Sequence, residues 1–117
     1  MRRRYPRLTL RVDVVIEAAS ERMQAVATTL GAGGLFVATR APLPPRTPLI
    51  VWFRLPGDTA ELRFQCHVAW SKTADGAVTP GVGLEFDDPD ARAEFAVLLE
   101  RWVERRESSA GSGAGRI

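Results

Sequence analysis

Residues 81–103 read GVGLEFDDPDARAEFAVLLERWV, and the spacing of the apolar side chains changes within this stretch. Apolar residues first alternate with a period of two, as in a β-strand, at Val82, Leu84 and Phe86. They then recur every three or four residues, as on one face of a helix, at Phe95, Leu98, Leu99, Trp102 and Val103. Asp88 suits a helix N-cap, and Pro89 suits the first helical position. The stretch therefore predicts a last strand and one amphipathic helix of about four to five turns.

Five further strands are predicted upstream from period-two alternation and β-branched residues. They cover residues 8–16, 23–30, 35–39, 49–55 and 61–71. The clearest alternation places Leu62, Phe64, Cys66, Val68 and Trp70 on one face of a strand. About six strands joined by short turns, followed by one helix, indicate an antiparallel barrel or a sandwich, with the helix over an opening or an edge.

Size and composition restrict the class of protein. The chain has 117 residues, enough for one domain with its own core. Hydrophobic residues make up 45% and charged residues 26%, the balance of a globular protein. The longest apolar run, residues 49–53, is too short to span a bilayer, and no signal peptide is recognisable. The single cysteine, Cys66, excludes an internal disulfide bond and favours a cytoplasmic location.

Positive charge is concentrated at the start of the chain, at Arg2, Arg3, Arg4, Arg7 and Arg11. The remainder carries 11 basic and 14 acidic residues, a net charge of −3. We expect a flexible basic arm at residues 1–7, a folded domain at 8–106 and a disordered Ser/Gly-rich tail at 107–117. An anionic partner should meet the arm.

Residue types that often carry catalysis are badly placed for it here. His67 directly follows Cys66, so their side chains point to opposite faces of a strand and cannot form a nucleophile–base pair. Asp87, Asp88 and Asp90 stand where a helix begins, and helix capping explains them better than a metal site does. The sequence carries no P-loop, HExxH or GxSxG motif. It therefore predicts a protein that is not an enzyme and holds no metal or cofactor.

Two segments are suited to binding an anion. In Arg3-Arg4-Tyr5-Pro6-Arg7, just before the first strand, arginines can donate paired hydrogen bonds to a phosphate or a guanine edge. In Gly31-Ala32-Gly33-Gly34, between the second and third strands, backbone amides can approach a phosphate closely. The alternatives are a solvated tail and a plain turn.

These segments resemble the two motifs of the PilZ domain family, RxxxR before the first strand and (D/N)xSxxG between the second and third. Arg3 and Arg7 match the arginines of the first motif. Residues 29–36, TLGAGGLF, lie at the second motif and end in the family's usual Gly-Gly-Leu-Phe. HVAW at 67–70 and GVGLEF at 81–86 are similar to the closing strands, so the resemblance spans about residues 3–104.

The resemblance implies a six-stranded antiparallel β-barrel with one C-terminal helix. It implies a non-catalytic bacterial module of the cyclic di-GMP receptor family, acting on motility, pili or exopolysaccharide through a protein partner. In binding members the RxxxR arginines hold guanines and phosphates, and ligand capture folds the arm over the barrel. The ligand-binding residues implied here are Arg3, Arg4, Arg7, Thr29, Gly31, Gly33 and Gly34.

The second motif departs from the family pattern. Thr29 replaces its Asp or Asn and Gly31 replaces its Ser, which leaves one hydroxyl in place of two hydrogen-bonding side chains. Each missing partner costs roughly 1 to 3 kcal/mol. Two such losses weaken binding by about two to three orders of magnitude. The sequence therefore predicts cyclic di-GMP binding that is weakened or lost.

Three functions stay open at this point. They are a cyclic di-GMP receptor, a ligand-independent adaptor that docks a protein partner, and a small barrel that binds nucleic acid along its arm. The third ranks last because an aromatic platform is needed, and the tryptophans are all predicted to lie in the core. These are Trp52, Trp70 and Trp102.

Overall fold

The computed structural model describes residues 7–40, 43–73 and 79–115, with side chains described as far as residue 107. Its elements are β1 (Leu8–Ala18), β2 (Glu21–Gly31), β3 (Gly34–Ala38), β4 (Pro48–Phe53), β5 (Leu62–Lys72), β6 (Gly81–Phe86) and α1 (Pro89–Gly115). The strands form a closed antiparallel barrel in the order β1-β2-β3-β6-β5-β4. The predicted barrel with one C-terminal helix is confirmed, and the sandwich alternative is wrong because β1 pairs with β4 and leaves no open edge.

The start of α1 follows the predicted capping chemistry. The backbone N–H of Asp90 donates to Asp88 Oδ1 at 3.0 Å, which satisfies one of the free amides of the first turn. The helix runs to Gly115, past the four to five turns predicted from its apolar stripe. A helix can continue beyond its last packed turn because each added residue forms one backbone hydrogen bond. Disorder of the 107–117 tail in solution stays a prediction.

A group of phenylalanines joins the helix to the barrel. Phe95 of α1 lies edge-on to Phe64 and Phe86, with ring centroids 5.3 and 5.5 Å apart. It also meets Phe53 edge-on at 5.9 Å. Farther along the helix, the indole N–H of Trp102 donates to the carbonyl of Pro56 at 2.9 Å. The helix therefore covers one end of the barrel and completes its core.

Two of the three tryptophans do not lie in the core, contrary to the prediction. Trp102 is buried, but Trp52 is half-buried on the outer surface beneath the guanidinium of Arg22, and Trp70 is 46% exposed. At Trp70 the reason is a register shift between Val68 and Trp70 in the pairing of β5 with β6. An extra residue in one strand reverses the faces of the residues beyond it, so the alternation that buries Val68 does not bury Trp70.

No helix in the parts of the chain that the structure describes is both long enough and apolar enough to cross a bilayer.

Candidate functional site

The glycine-rich segment and the residue before β1 meet at one end of the barrel. Leu8 pairs with Leu30, so Arg7, one residue earlier, lies beside Gly31. The turn between β2 and β3 and the start of β1 open onto a surface pocket of about 640 Å³. The structure brings five of the implied ligand-binding residues to its wall: Arg7, Thr29, Gly31, Gly33 and Gly34. The other two, Arg3 and Arg4, lie outside the described residues.

A glycine is required at position 34 because two strands approach closely there, and not because the backbone adopts an unusual angle. A Cβ at this position would overlap the carbonyl oxygen of Leu84 and lie 2.9 Å from its carbonyl carbon. Among the glycines that the structure describes, only Gly57 has a positive φ. The carbonyl of Gly33 accepts a hydrogen bond from the N–H of Phe86 at 3.0 Å, which ties the turn to β6. The turn is therefore held against the barrel wall before any ligand arrives.

The pocket also contains an aromatic pair that sequence reasoning missed. Phe36 and Trp70 stack with ring centroids 5.3 Å apart and planes 17° from parallel. Lys72 Nζ lies 5.7 Å from the Phe36 ring centroid and 5.5 Å from that of Trp70. Both aromatic residues pair with Gly83, where a Cβ would overlap the indole. A glycine inside a strand signals such a close approach and is the feature of the sequence that could have revealed it.

This pair, Phe36 and Trp70, changes the chemistry available at the site. A flat, exposed aromatic face can stack against a purine, and a nearby ammonium favours an anionic ligand. The argument that ranked nucleic-acid binding last, the lack of an exposed aromatic platform, is therefore wrong.

An ion-pair network lies beside the pocket, on β5, β6 and the first turn of α1. His67 Nδ1 is 2.7 Å from Asp87 Oδ1, and His67 Nε2 is 3.0 Å from Glu85 Oε1. Arg92 Nη1 approaches Glu85 Oε2 at 4.0 Å. The predicted outward orientation of His67 and burial of Cys66 are confirmed. Asp87, which we assigned to helix capping, instead pairs with His67.

Cys66, the chain neighbour of His67, is a buried free thiol. Burial raises the pKa of the Cys66 thiol to about 12, so this sulfur is not a nucleophile near neutral pH. Within the described residues, no three His, Cys, Asp or Glu side chains are grouped so that they could hold a metal ion. The neighbouring pocket, with its cationic side chains and its aromatic pair, is suited to binding an anion with a flat apolar part.

The pKa of His67 is expected to lie above its usual 6.5, chiefly because its Nδ1–H donates a hydrogen bond to the Asp87 carboxylate, with Glu85 adding to the effect. The raised pKa means that the protonated form stabilises the fold. This contribution is complete below pH 6.5 and is lost as the pH rises through the folded-state pKa. Since the chain has one histidine, NMR titration of its ring protons measures that pKa directly.

Asp87→Asn should lower the His67 pKa, and Asp13→Asn, an exposed acid of β1, should leave it unchanged. A His67 pKa at or below 6.5 in the unmodified protein would contradict the ion-pair geometry.

Comparison with known proteins agrees with this architecture. The family model for the PilZ domain matches residues 1–105. A search of curated proteins finds no match. Among solved structures, the Bacillus subtilis inhibitor of motility (MotI/DgrA) is similar at a TM-score of 0.71 and 20% identity, over 92% of this chain and 52% of that one.

Two structures from Escherichia coli are similar as well. YcgR in complex with c-di-GMP has a TM-score of 0.70 and 16% identity, over 97% of this chain and 50% of that one. The PilZ domain of YcgR with c-di-GMP has a TM-score of 0.65 and 17% identity, and each chain is fully covered. The present chain thus spans about half the length of the inhibitor of motility and of YcgR. At these identities the likeness is one of fold, and together with the family model over residues 1–105 it shows that the chain belongs to the PilZ domain family.

Proposed function

We propose that this PilZ domain is a non-catalytic signalling module of the cytoplasm that binds cyclic di-GMP in the pocket around residues 31–34. One observation carries the proposal: a single pocket brings together Arg7, the glycine-rich turn, Lys72 and the aromatic pair of half-buried Phe36 and exposed Trp70. Two solved relatives of similar fold are described as complexes with c-di-GMP. The ligand acts as a regulatory signal rather than a cofactor.

The chemistry of the pocket matches the two halves of such a ligand. Cyclic di-GMP carries two phosphates, and Arg7 and Lys72 both provide positive charge on the wall of the pocket. Its purine rings are flat, and the Phe36–Trp70 pair offers a stacking surface. The arm at residues 1–7, with Arg3 and Arg4, would close over the bound ligand and present a new surface to a protein partner.

Stacking on the aromatic pair can compensate for hydrogen bonds that the altered second motif no longer makes. Stacking of a base on an aromatic side chain contributes roughly 1 to 3 kcal/mol. This is about the cost of one unpaired hydrogen-bonding group at Thr29 or Gly31. The aromatic pair therefore offsets part of the loss predicted from the motif, and we expect binding that is weakened but not abolished.

Isothermal titration of cyclic di-GMP into the full chain tests the proposal. We expect Arg7→Ala to weaken binding at least tenfold, because it removes a charge-assisted contact with a phosphate or a guanine. Trp70→Ala should have a similar effect through the lost stacking. Arg63→Ala is the matched control, because Arg63 is an exposed arginine of β5 outside the pocket wall. Absence of heat at high protein concentration, or equal affinities for all four proteins, would rule out this site.

A second candidate is a ligand-independent adaptor, favoured by the replacement of the motif's Asp or Asn by Thr29 and of its Ser by Gly31. The adaptor and the receptor differ in whether cyclic di-GMP is needed to bind a protein partner. An adaptor of this kind recovers the same protein partner with and without cyclic di-GMP, whereas a receptor changes its partner binding when the nucleotide is added. The same titration decides which experiment follows, since a protein that does not bind cyclic di-GMP cannot act as its receptor.

A further inference from the structure

Glu85 lies on the same outer face of the barrel as the aromatic pair. Gly83 pairs with Phe36 and Trp70, while Glu85, two residues later on β6, pairs with Gly34 and His67. Alternate residues of a strand point to the same side and stand about 6.7 Å apart. The carboxylate and the aromatic faces therefore occupy adjacent rows of one surface.

The surroundings of Glu85 leave its carboxylate accessible from the pocket. Gly34, its neighbour on β3, has no side chain, and Gly33 is exposed. The Glu85 side chain is 48% exposed. On the other side, His67 Nε2 holds Oε1 at 3.0 Å and Arg92 Nη1 approaches Oε2 at 4.0 Å. A carboxylate has about four acceptor positions, so acceptors remain available toward the pocket.

Glu85 is also distinctive in its chemistry. Among the described residues that line the pocket it alone carries a carboxylate, while Arg7 and Lys72 are cationic. A carboxylate beside a site for a phosphate-bearing ligand repels that ligand unless it makes a compensating contact. The guanine edge offers such a contact, because its N1–H and 2-amino group are adjacent donors that match two carboxylate oxygens.

We propose that Glu85 determines the base specificity of the pocket by accepting the N1–H and 2-amino hydrogens of a guanine stacked on Phe36 and Trp70. Adenine presents a bare N1 acceptor at the same position, so its lone pair repels the carboxylate, and both acceptors lose their water without gaining a donor. His67 and Arg92 hold the carboxylate in place, as positioning residues. This inference rests on the proposed nucleotide site and names the residue that reads the base, a role for which Thr29 offers one hydroxyl and Gly31 no side chain.

Titrations of cyclic di-GMP and cyclic di-AMP into the full chain and into Glu85→Gln test the inference. The unmodified protein should prefer cyclic di-GMP by at least tenfold. Glu85→Gln keeps one acceptor and the side-chain shape but turns a donor toward the base, so it should weaken cyclic di-GMP binding by ten- to a hundredfold. Binding of cyclic di-AMP should stay equal or become tighter, so the preference disappears. Glu61→Gln, an exposed acid outside this pocket, should change neither affinity.

The outcomes separate this inference from the proposed function. If Glu85→Gln strengthens the binding of both dinucleotides equally, Glu85 only repels phosphate; the inference is then overturned and the proposed site stands. If the unmodified protein binds cyclic di-GMP without preference over cyclic di-AMP, the inference is also overturned. If it binds neither dinucleotide, both fail. Thermal unfolding of each variant establishes that the exposed substitution leaves the fold intact.

Discussion

Gly34→Ala is expected to lower the free energy of unfolding by about 3 kcal/mol, near the upper end of the usual cost of overpacking. The added Cβ would overlap the carbonyl oxygen of Leu84 and lie 3.2 Å from the Cα of Glu85. These are backbone atoms of the paired strand, so the clash cannot be relieved by rotating a side chain. Relief requires β3 to move away from β6, which weakens the strand pairing at Gly34 and Glu85.

Urea denaturation followed by circular dichroism measures this effect. Gly33→Ala is the matched control, because its added Cβ would meet no atom closer than Arg92 Cδ at 4.0 Å. We expect the control to change stability by less than about 0.5 kcal/mol. Equal destabilisation by both substitutions would mean that glycine is needed in the turn for flexibility, and that close approach of β3 to β6 is not its cause.

Phe95→Ala is expected to destabilise the protein by roughly 3 to 5 kcal/mol, the usual cost of removing a buried phenylalanine. Phe95 is 1% exposed and touches rings from three strands, at Phe53, Phe64 and Phe86. It is the point at which the helix enters the core of the barrel. The substitution leaves a cavity between them that the closed barrel cannot collapse to fill.

Thermal and urea unfolding of Phe95→Ala measure this loss. Val97→Ala, on the same helix but 47% exposed, should cost less than about 0.5 kcal/mol. A loss below 1 kcal/mol at Phe95 would show that the barrel is stable without the docked helix. A large loss accompanied by a single cooperative transition would show that the helix and the barrel unfold together.

Local periodicity accounts for how much of the fold could be predicted. The bounds of β6 and the start of α1 follow from residues 81–103, because alternation and the three-to-four spacing are visible in the order of the residues. The Asp88 cap and the first helical proline have the same local origin. Sequence pattern alone did not separate a barrel from a sandwich, since closure depends on the pairing of β1 with β4, which lie more than 30 residues apart.

Part of the candidate site could likewise be predicted from local sequence, and part could not. Arg7, Thr29 and the glycines belong to two short segments, and their proximity follows once Leu8 is paired with Leu30. Trp70 was assigned to the wrong face because its position depends on an irregularity in strand pairing that leaves no trace in the alternation of residues 61–71. Glu85 was passed over because a charged residue on a strand is ordinarily a solvated one.

The sequence by itself determined the six strands, the start of the helix, the clustering of arginines before β1 and the motif residues, because each depends on neighbours within a few positions along the chain. Only the tertiary structure decided that Phe36, Trp70, Lys72 and Glu85 share the wall of one pocket with Arg7. The physical reason is that strand register and bulges are set by packing between distant segments. A shift of one residue reverses the face on which every following side chain lies.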